Sequence, residues 1–447
     1  MEITGQRLLL EEWRTFYPKI DLTQSEKIPA MVQIDKDWVC QRCGEVSQEK
    51  VPAGFFYCPS CLALGRVDSN SSLYFIPIKK AVPKKVVLTW SGKLSTAQQK
   101  IADGLLEDQP KKRSFLLWAV TGAGKTEILF PLLKSLLEKG KKIAVTSPRV
   151  DVCNEVFLRF RQAFPDEKIS LFHGQERKDA GDQFVVCTVH QLLRYHEFFD
   201  LVIVDEVDAF PYAEDPLLHR AVDTAQKREG KRVYLSATPD KALKKTVDRV
   251  YYLPARYHRR KLPVPQVLFS WRLEKHLLAG QLPKKVLAKI TDLLEKNNVL
   301  FFCPNISLLA KIAAFIQGVY SDIRLTTVFS QDQERLIKVE NMRAGKYQLL
   351  LTTTILERGV TFERVSVIVL QASHRVFKKS ALVQIAGRAD RKGEYSQAEV
   401  IFVTSERTTA IKSAIREINK NNQQALKEGL INACLLYTSD AADEGLG

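Results

Sequence analysis

Two stretches of this chain carry residue types at spacings that suit phosphate chemistry. In Ala119-Val-Thr-Gly122-Ala123-Gly124-Lys125-Thr126, the glycines let the backbone turn tightly enough for its N–H groups to wrap phosphate oxygens. Lys125 then places a point charge against the outer phosphates. In Leu201-Val-Ile-Val-Asp205-Glu206-Val-Asp208, an apolar run forms a buried strand that delivers carboxylates at its end. Asp205 is suited to hold Mg2+ through water, Glu206 to orient or deprotonate an attacking water, and the Thr126 hydroxyl to complete the magnesium shell. The pair predicts an ATP hydrolase that uses ATP and Mg2+.

Cys40-x-x-Cys43 and Cys58-x-x-Cys61 are spaced like two knuckles that close a tetrahedral thiolate cage. Four thiolates leave the metal no open position for water, so the expected Zn2+ is structural. A metal-free dithiol pair and an iron–sulfur cluster are the other readings of the same ligands. Little core is available there beyond Trp38, Val39, Phe55, Phe56 and Tyr57, so metal binding would contribute on the order of 10 kcal/mol to folding. Those aromatics serve packing first, with base stacking as the alternative. Cys153, Cys187, Cys303 and Cys434 are widely spaced in apolar contexts and read as core cysteines.

The elements that must position these groups follow a repeating pattern. Short apolar runs at 115–120, 143–147, 184–189, 201–205 and 232–236 alternate with helical stretches, which argues for a parallel sheet with helices on its faces. The alternation resumes with helices at 283–296, 306–318, 331–344, 380–390 and 406–429, and strands at 299–303, 323–328, 347–352, 365–370 and 398–403. The expected organisation is an N-terminal region 1–90 with the four-cysteine unit at about 36–65, a first lobe 91–252, a proline-rich hinge 253–275 and a second lobe 276–434. Residues 435–447 read as a non-native tail. On the predicted helix of the second lobe, Gln384, Arg388 and Arg391 recur at intervals of four and three and share one face. Arginines presented from there would stabilise charge developing on a transferred phosphoryl group.

Composition narrows the class. The formal net charge is +16, with basic runs at Lys79–Lys85, Lys111–Arg113 and Arg256–Lys261, which suits a polyanionic partner such as nucleic acid. No apolar run is long enough for a membrane span and no signal-peptide core is present, so a cytoplasmic location is expected.

In this order the stretches resemble the superfamily 2 helicases from 94 to 404, which implies two tandem RecA-like lobes in an α/β chain. By that resemblance Leu94-Ser-Thr-Ala-Gln98 matches the adenine-reading motif, and Ser147-Pro-Arg149 and Cys187-Thr188-Val-His190 match strand-end loops that touch nucleic-acid phosphates. Ser236-Ala-Thr238 matches the motif coupling hydrolysis to lobe movement, and Phe302-Cys-Pro-Asn305 the motif that opens the second lobe. Thr353-Thr354-Ile-Leu-Glu-Arg358-Gly359-Val matches the loop sensing nucleotide and strand, while Gln384, Arg388 and Arg391 take the places of the glutamine and arginine sensors.

More narrowly, the four-cysteine ribbon ahead of the motor, Asp205-Glu-Val-Asp208, Glu357-Arg-Gly-Val-Thr361 and Gln384-Ile-Ala-Gly-Arg388 resemble the ComFA family over about 30–430. The resemblance implies a cytoplasmic motor stimulated by single-stranded DNA, drawing DNA through a membrane channel in natural transformation and associating transiently with the inner face of the membrane. ComFC-like and DprA-like proteins are the partners it implies. This chain departs from the pattern at Ala119, at Asp390, where many relatives carry glycine, and at Thr361, where many helicases carry aspartate. A replication-restart or RNA helicase is the alternative among enzymes, and a non-catalytic zinc-containing nucleic-acid-binding scaffold is the alternative of another class.

Overall fold

The structure, a computed structural model, describes residues 4–77, 82–174, 176–181, 183–391, 393 and 397–432. Cys434, the tail 435–447 and Lys79, Lys80 and Ala81 of the first basic run lie outside them. The chain forms two compact units, Met1–Leu117 with Lys125–Tyr251, and Trp118–Gly124 with Tyr252–Gly447.

The larger sheet runs, from edge to edge, Arg177–Lys178, Ile169–Phe172, Phe184–Thr188, Ile143–Ser147, Phe199–Asp205, Gln226–Ser236, Ser114–Ala119 and Arg249–Leu253. Its inner strands read as nearly unbroken apolar runs because helices cover both faces, as parallel strands require. Ile143–Ser147 and Phe184–Thr188 are buried along their whole lengths. Parallel register then does the positioning. Thr188 pairs with Ser147, Val204 with Thr146 and Asp205 with Leu235, so the residues ending these strands come to one edge. An aromatic cluster of Phe130, Phe160, Phe164 and Phe184 packs in this unit.

The second sheet is parallel throughout, in the order Gln266–Phe269, Val400–Thr404, Val365–Val369, Asn298–Phe302, Leu349–Thr352, Leu325–Val328. Asn305 caps the helix Ile306–Val319, its Oδ1 accepting from Leu308 N at 2.8 Å. The expected hinge 253–275 is less linker-like than its prolines imply. Leu262 exchanges two hydrogen bonds with the Asn422 amide, 2.8 and 2.9 Å, and Gln266–Phe269 is an edge strand that tolerates Pro265 just before it.

Ahead of the large sheet, Leu8–Leu9, Ser72–Phe75 and Glu26–Pro29 form one small antiparallel sheet, and Met31–Ile34, Asp37–Cys40 and Val46–Ser47 another. Trp13, Leu8 and Tyr17 make a small core there. Among the described residues no helix is long and apolar enough to cross a membrane.

Candidate active site and metal centre

The loop after Ser114–Ala119 turns through two left-handed residues, Gly122 at φ +80° and Gly124 at φ +75°. Any side chain there would be strained, which is why glycine occupies both positions. Ala123 is buried between them, and Thr126 is buried at the start of the helix Lys125–Ile128. That helix is a single turn, and a new one, Phe130–Glu138, begins with Pro131 in its first turn, where the missing N–H is tolerated.

In the first unit, Asp205 Oδ1 accepts from the Glu206 N–H at 2.8 Å. Glu206 is held at φ +56°, a sparsely populated region for a side-chain-bearing residue and one that gathers at functional sites. Loss of solvent around Asp205 pushes its pKa up to about 6; Lys125 opposes the rise, while Glu206 and Asp208 add to it. The charge of Lys125 is therefore felt at Asp205. Asp208 takes both hydroxyls of the expected coupling motif, Ser236 Oγ and Thr238 Oγ1, each at 2.5 Å.

Other expected residues of this unit are placed as follows. Gln98 closes a capping box, its Oε1 accepting from Ser95 N at 2.8 Å at the start of Thr96–Asp108. Ser147 and Thr188 are paired and buried at the strand ends. Arg149 and His190 are half-buried beyond them, and burial lowers the His190 pKa against the pull of Asp215.

In the second unit the glutamine–arginine motif departs from expectation. The helix ends at Ala386, so Gln384 is helical and buried while Arg388 and Arg391 lie in the turn that follows. The Arg256 guanidinium holds the turn that follows. Nη2 donates to Gly387 O at 2.9 Å, and Nη1 to Ala389 O at 2.9 Å and Asp390 O at 2.6 Å. Asp390 sits at φ +44°, a left-handed conformation that glycine adopts without strain. Arg388 is buried and donates to Glu357 O, 2.9 and 2.7 Å, and to Val360 O; Arg391 Nη1 reaches Val360 O at 3.1 Å.

The sensing loop is thus bound by the arginine turn. Within it Thr353, Thr354 and Gly359 are half-exposed, and Thr354 opens a short 3-10 turn. Arg358, expected on the strand path, is buried with Nε on Glu357 Oε1 at 3.3 Å. Sequence reasoning missed that Arg256 holds the arginine turn, because a cation within a basic run reads as solvated charge.

The four cysteines converge. Cys40, Cys43, Cys58 and Cys61 are buried, with their sulfurs within 4.8 Å of one another. Cys40 Sγ lies 3.8 Å from Cys61 Sγ, and Cys43 Sγ 3.5 Å from Cys58 Sγ. A tetrahedron with metal–sulfur bonds of about 2.3 Å has edges of about 3.8 Å, so the donor set fits zinc. Trp38 stacks on Phe56 at 5.3 Å, which is packing. The other described cysteines, Cys153, Cys187 and Cys303, are buried, and burial pushes Cys187 up to about 12.

The unit is seated on the first lobe by a buried charge cluster. Glu12 accepts from Arg194 Nε and Nη2 at 3.2 and 2.9 Å and from Arg42, one of the two residues between the first cysteines. Arg194 also donates to Leu64 O at 3.0 Å, and it ends the 3-10 turn Val189–Arg194 that follows Thr188.

A family model described as "Type III restriction enzyme, res subunit" matches residues 91–241, and one described as "Helicase conserved C-terminal domain" matches residues 284–393. The chain is 40% identical over 401 residues to the competence protein ComFA of Bacillus subtilis (strain 168), an alignment spanning 87% of this chain and 86% of that one. It is 37% identical over 412 residues to competence protein ComFA of Streptococcus pneumoniae (strain ATCC BAA-255 / R6), spanning 90% and 94%. Among solved structures, S. cerevisiae Dbp5 bound to RNA and ADP BeF3 aligns with a TM-score of 0.56 at 16% identity, over 76% of this chain and 92% of that one, a likeness of fold. Two RecA-like parallel sheets, both helicase models and relatives matched nearly end to end make this a superfamily 2 helicase-type ATPase, and the chain belongs to the ComFA family.

Proposed function

We propose that this chain is an ATP-driven translocase of single-stranded DNA that draws incoming DNA into the cell during natural transformation. The observation that carries the reading is the parallel register that sets Thr188 beside Ser147 at the same sheet edge as Asp205. Residues suited to strand phosphates and residues suited to hydrolysis therefore share one rigid support. The net charge of +16 supports a polyanionic track.

In this reading the loop Gly122–Thr126 and Lys125 hold the phosphates, and Thr126 and Asp205 hold the magnesium ion. Glu206 orients the attacking water and accepts its proton. ATP supplies the free energy and Mg2+ neutralises phosphate charge. Asp208 passes changes at the strand end to Ser236 and Thr238. Arg388 and Arg391 serve as the arginine sensors once they exchange their carbonyl partners for phosphate. Ser147, Arg149, Thr188, His190, Thr353, Thr354 and Arg358 hold backbone phosphates. That arrangement gives little base preference and a salt dependence with a slope near −0.7 per phosphate. Zn2+ on the four thiolates stabilises the N-terminal unit, through which ComFC-like or DprA-like partners and the membrane channel would be met.

ATP turnover measured with single-stranded DNA, duplex DNA and RNA tests the reading. Stimulation is expected with single-stranded DNA above the other two. Turnover that is indifferent to DNA, or that responds to RNA foremost, would overturn it in favour of a helicase of another pathway.

A further inference from the structure

Arg256 belongs to a basic run, yet it is 2% exposed. Besides the three carbonyls of the arginine turn, it reaches the phosphate loop, with Nε donating to Thr121 O at 3.2 Å. One guanidinium therefore joins Thr121 O to Gly387 O, Ala389 O and Asp390 O. Loop and turn also meet at two glycines. A Cβ on Gly387 would collide with Thr121 Oγ1, and one on Gly122 would come within 3.4 Å of Arg391 O.

The connection continues, because Arg388 and Arg391 in that turn donate to carbonyls of Glu357 and Val360. A planar fork of five donors can serve such a set of carbonyls at once, whereas a lysine ammonium cannot. Burying a cation among carbonyls is costly, and burial brings the Arg256 pKa down to about 10 despite the nearby Asp390. Helix capping alone would be served by a glycine and water.

We propose that Arg256 is a positioning residue of the ATPase, locking the phosphate loop to the turn that bears Arg388 and Arg391 so that nucleotide at the loop sets the arginines. The inference rests on the reading of residues 119–126 as the ATP site. It predicts an effect on turnover that exceeds any effect on ATP binding, since misplacing a charge-stabilising group by about 1 Å reduces rate on the order of a hundredfold.

The test is steady-state ATP turnover of R256K and R256A beside K125A, each with a melting curve. R256K is expected to melt no lower than R256A and to lose kcat by about tenfold or more, with KM for ATP changed by less than about threefold. Added guanidinium ion is expected to restore part of the R256A rate. If K125A is inactive while R256K turns over like wild type, or if R256K raises KM at unchanged kcat, the inference fails and the site reading stands. A rate loss that guanidinium does not restore, in variants that melt below wild type, assigns Arg256 to stability alone and also overturns it. An active K125A overturns the site reading itself.

Discussion

Thr238 Oγ1 donates to Asp208 Oδ2 at 2.5 Å, and Ser236 Oγ occupies the other oxygen of the same carboxylate at the same distance. Asp208 lies just past the residues expected to handle magnesium and water, so that strand end and the Ser236–Thr238 segment are one hydrogen-bonded piece. Replacing Asp208 by Asn leaves one carbonyl acceptor for two hydroxyl donors and sets an amide N–H against the other, at about 1–3 kcal/mol. D208N is expected to keep ATP hydrolysis while losing strand translocation. Parallel loss of both activities would place Asp208 in the chemistry instead.

Asp205 illustrates a stability cost built into the site. Its folded pKa is raised to about 6 from an ordinary value of 3.8, with loss of solvent the largest cause. A carboxyl raised on folding binds its proton more tightly in the folded state, so its contribution to stability falls as pH rises from about 4 through 6. Without magnesium, D205N should therefore melt above wild type, by at most about 3 kcal/mol at neutral pH. The gap should narrow toward pH 5 as the wild-type carboxyl takes up its proton. Thermal melts of both proteins at the two pH values check this, and a gap independent of pH would contradict it.

Glu12 sits between two buried guanidinium groups, Arg42 of the four-cysteine unit and Arg194 of the first lobe. Replacing it by Gln leaves both cations buried without their carboxylate, a loss of about 3–5 kcal/mol. E12Q should expose the N-terminal unit to protease while residues 91–430 stay protected. Equal cleavage of wild type and variant would show that the contact adds nothing.

The sulfur spacings predict one zinc per chain, measurable by elemental analysis. Removing it with a chelator, or replacing Cys58 by Ser, should raise hydrogen exchange over residues 30–77 and leave the parallel sheets protected. Protection of 30–77 that is independent of metal would contradict a structural zinc.

Much of this architecture could be read from residue patterns. The strands Ile143–Ser147, Phe184–Thr188 and Val365–Val369 fall where apolar runs predict them, because a doubly covered parallel strand leaves no room for polar alternation. Gln266–Phe269 escaped because the prolines just before it, Pro263 and Pro265, mimic a linker. The early end of the helix at Ala386 escaped because Arg256, which holds the turn after it, is distant in sequence and looks like surface charge. Likewise the Glu12 cluster joins residues 30 and 182 positions apart, a relation that no local spacing encodes.

The most direct test of ATP-driven movement on a single strand is displacement of streptavidin from the end of biotinylated single-stranded DNA, comparing wild type with E206Q. Wild type is expected to clear streptavidin with ATP and not with a non-hydrolysable analogue, while E206Q binds ATP and DNA and clears none. Displacement by E206Q, or by wild type without hydrolysis, would contradict the account.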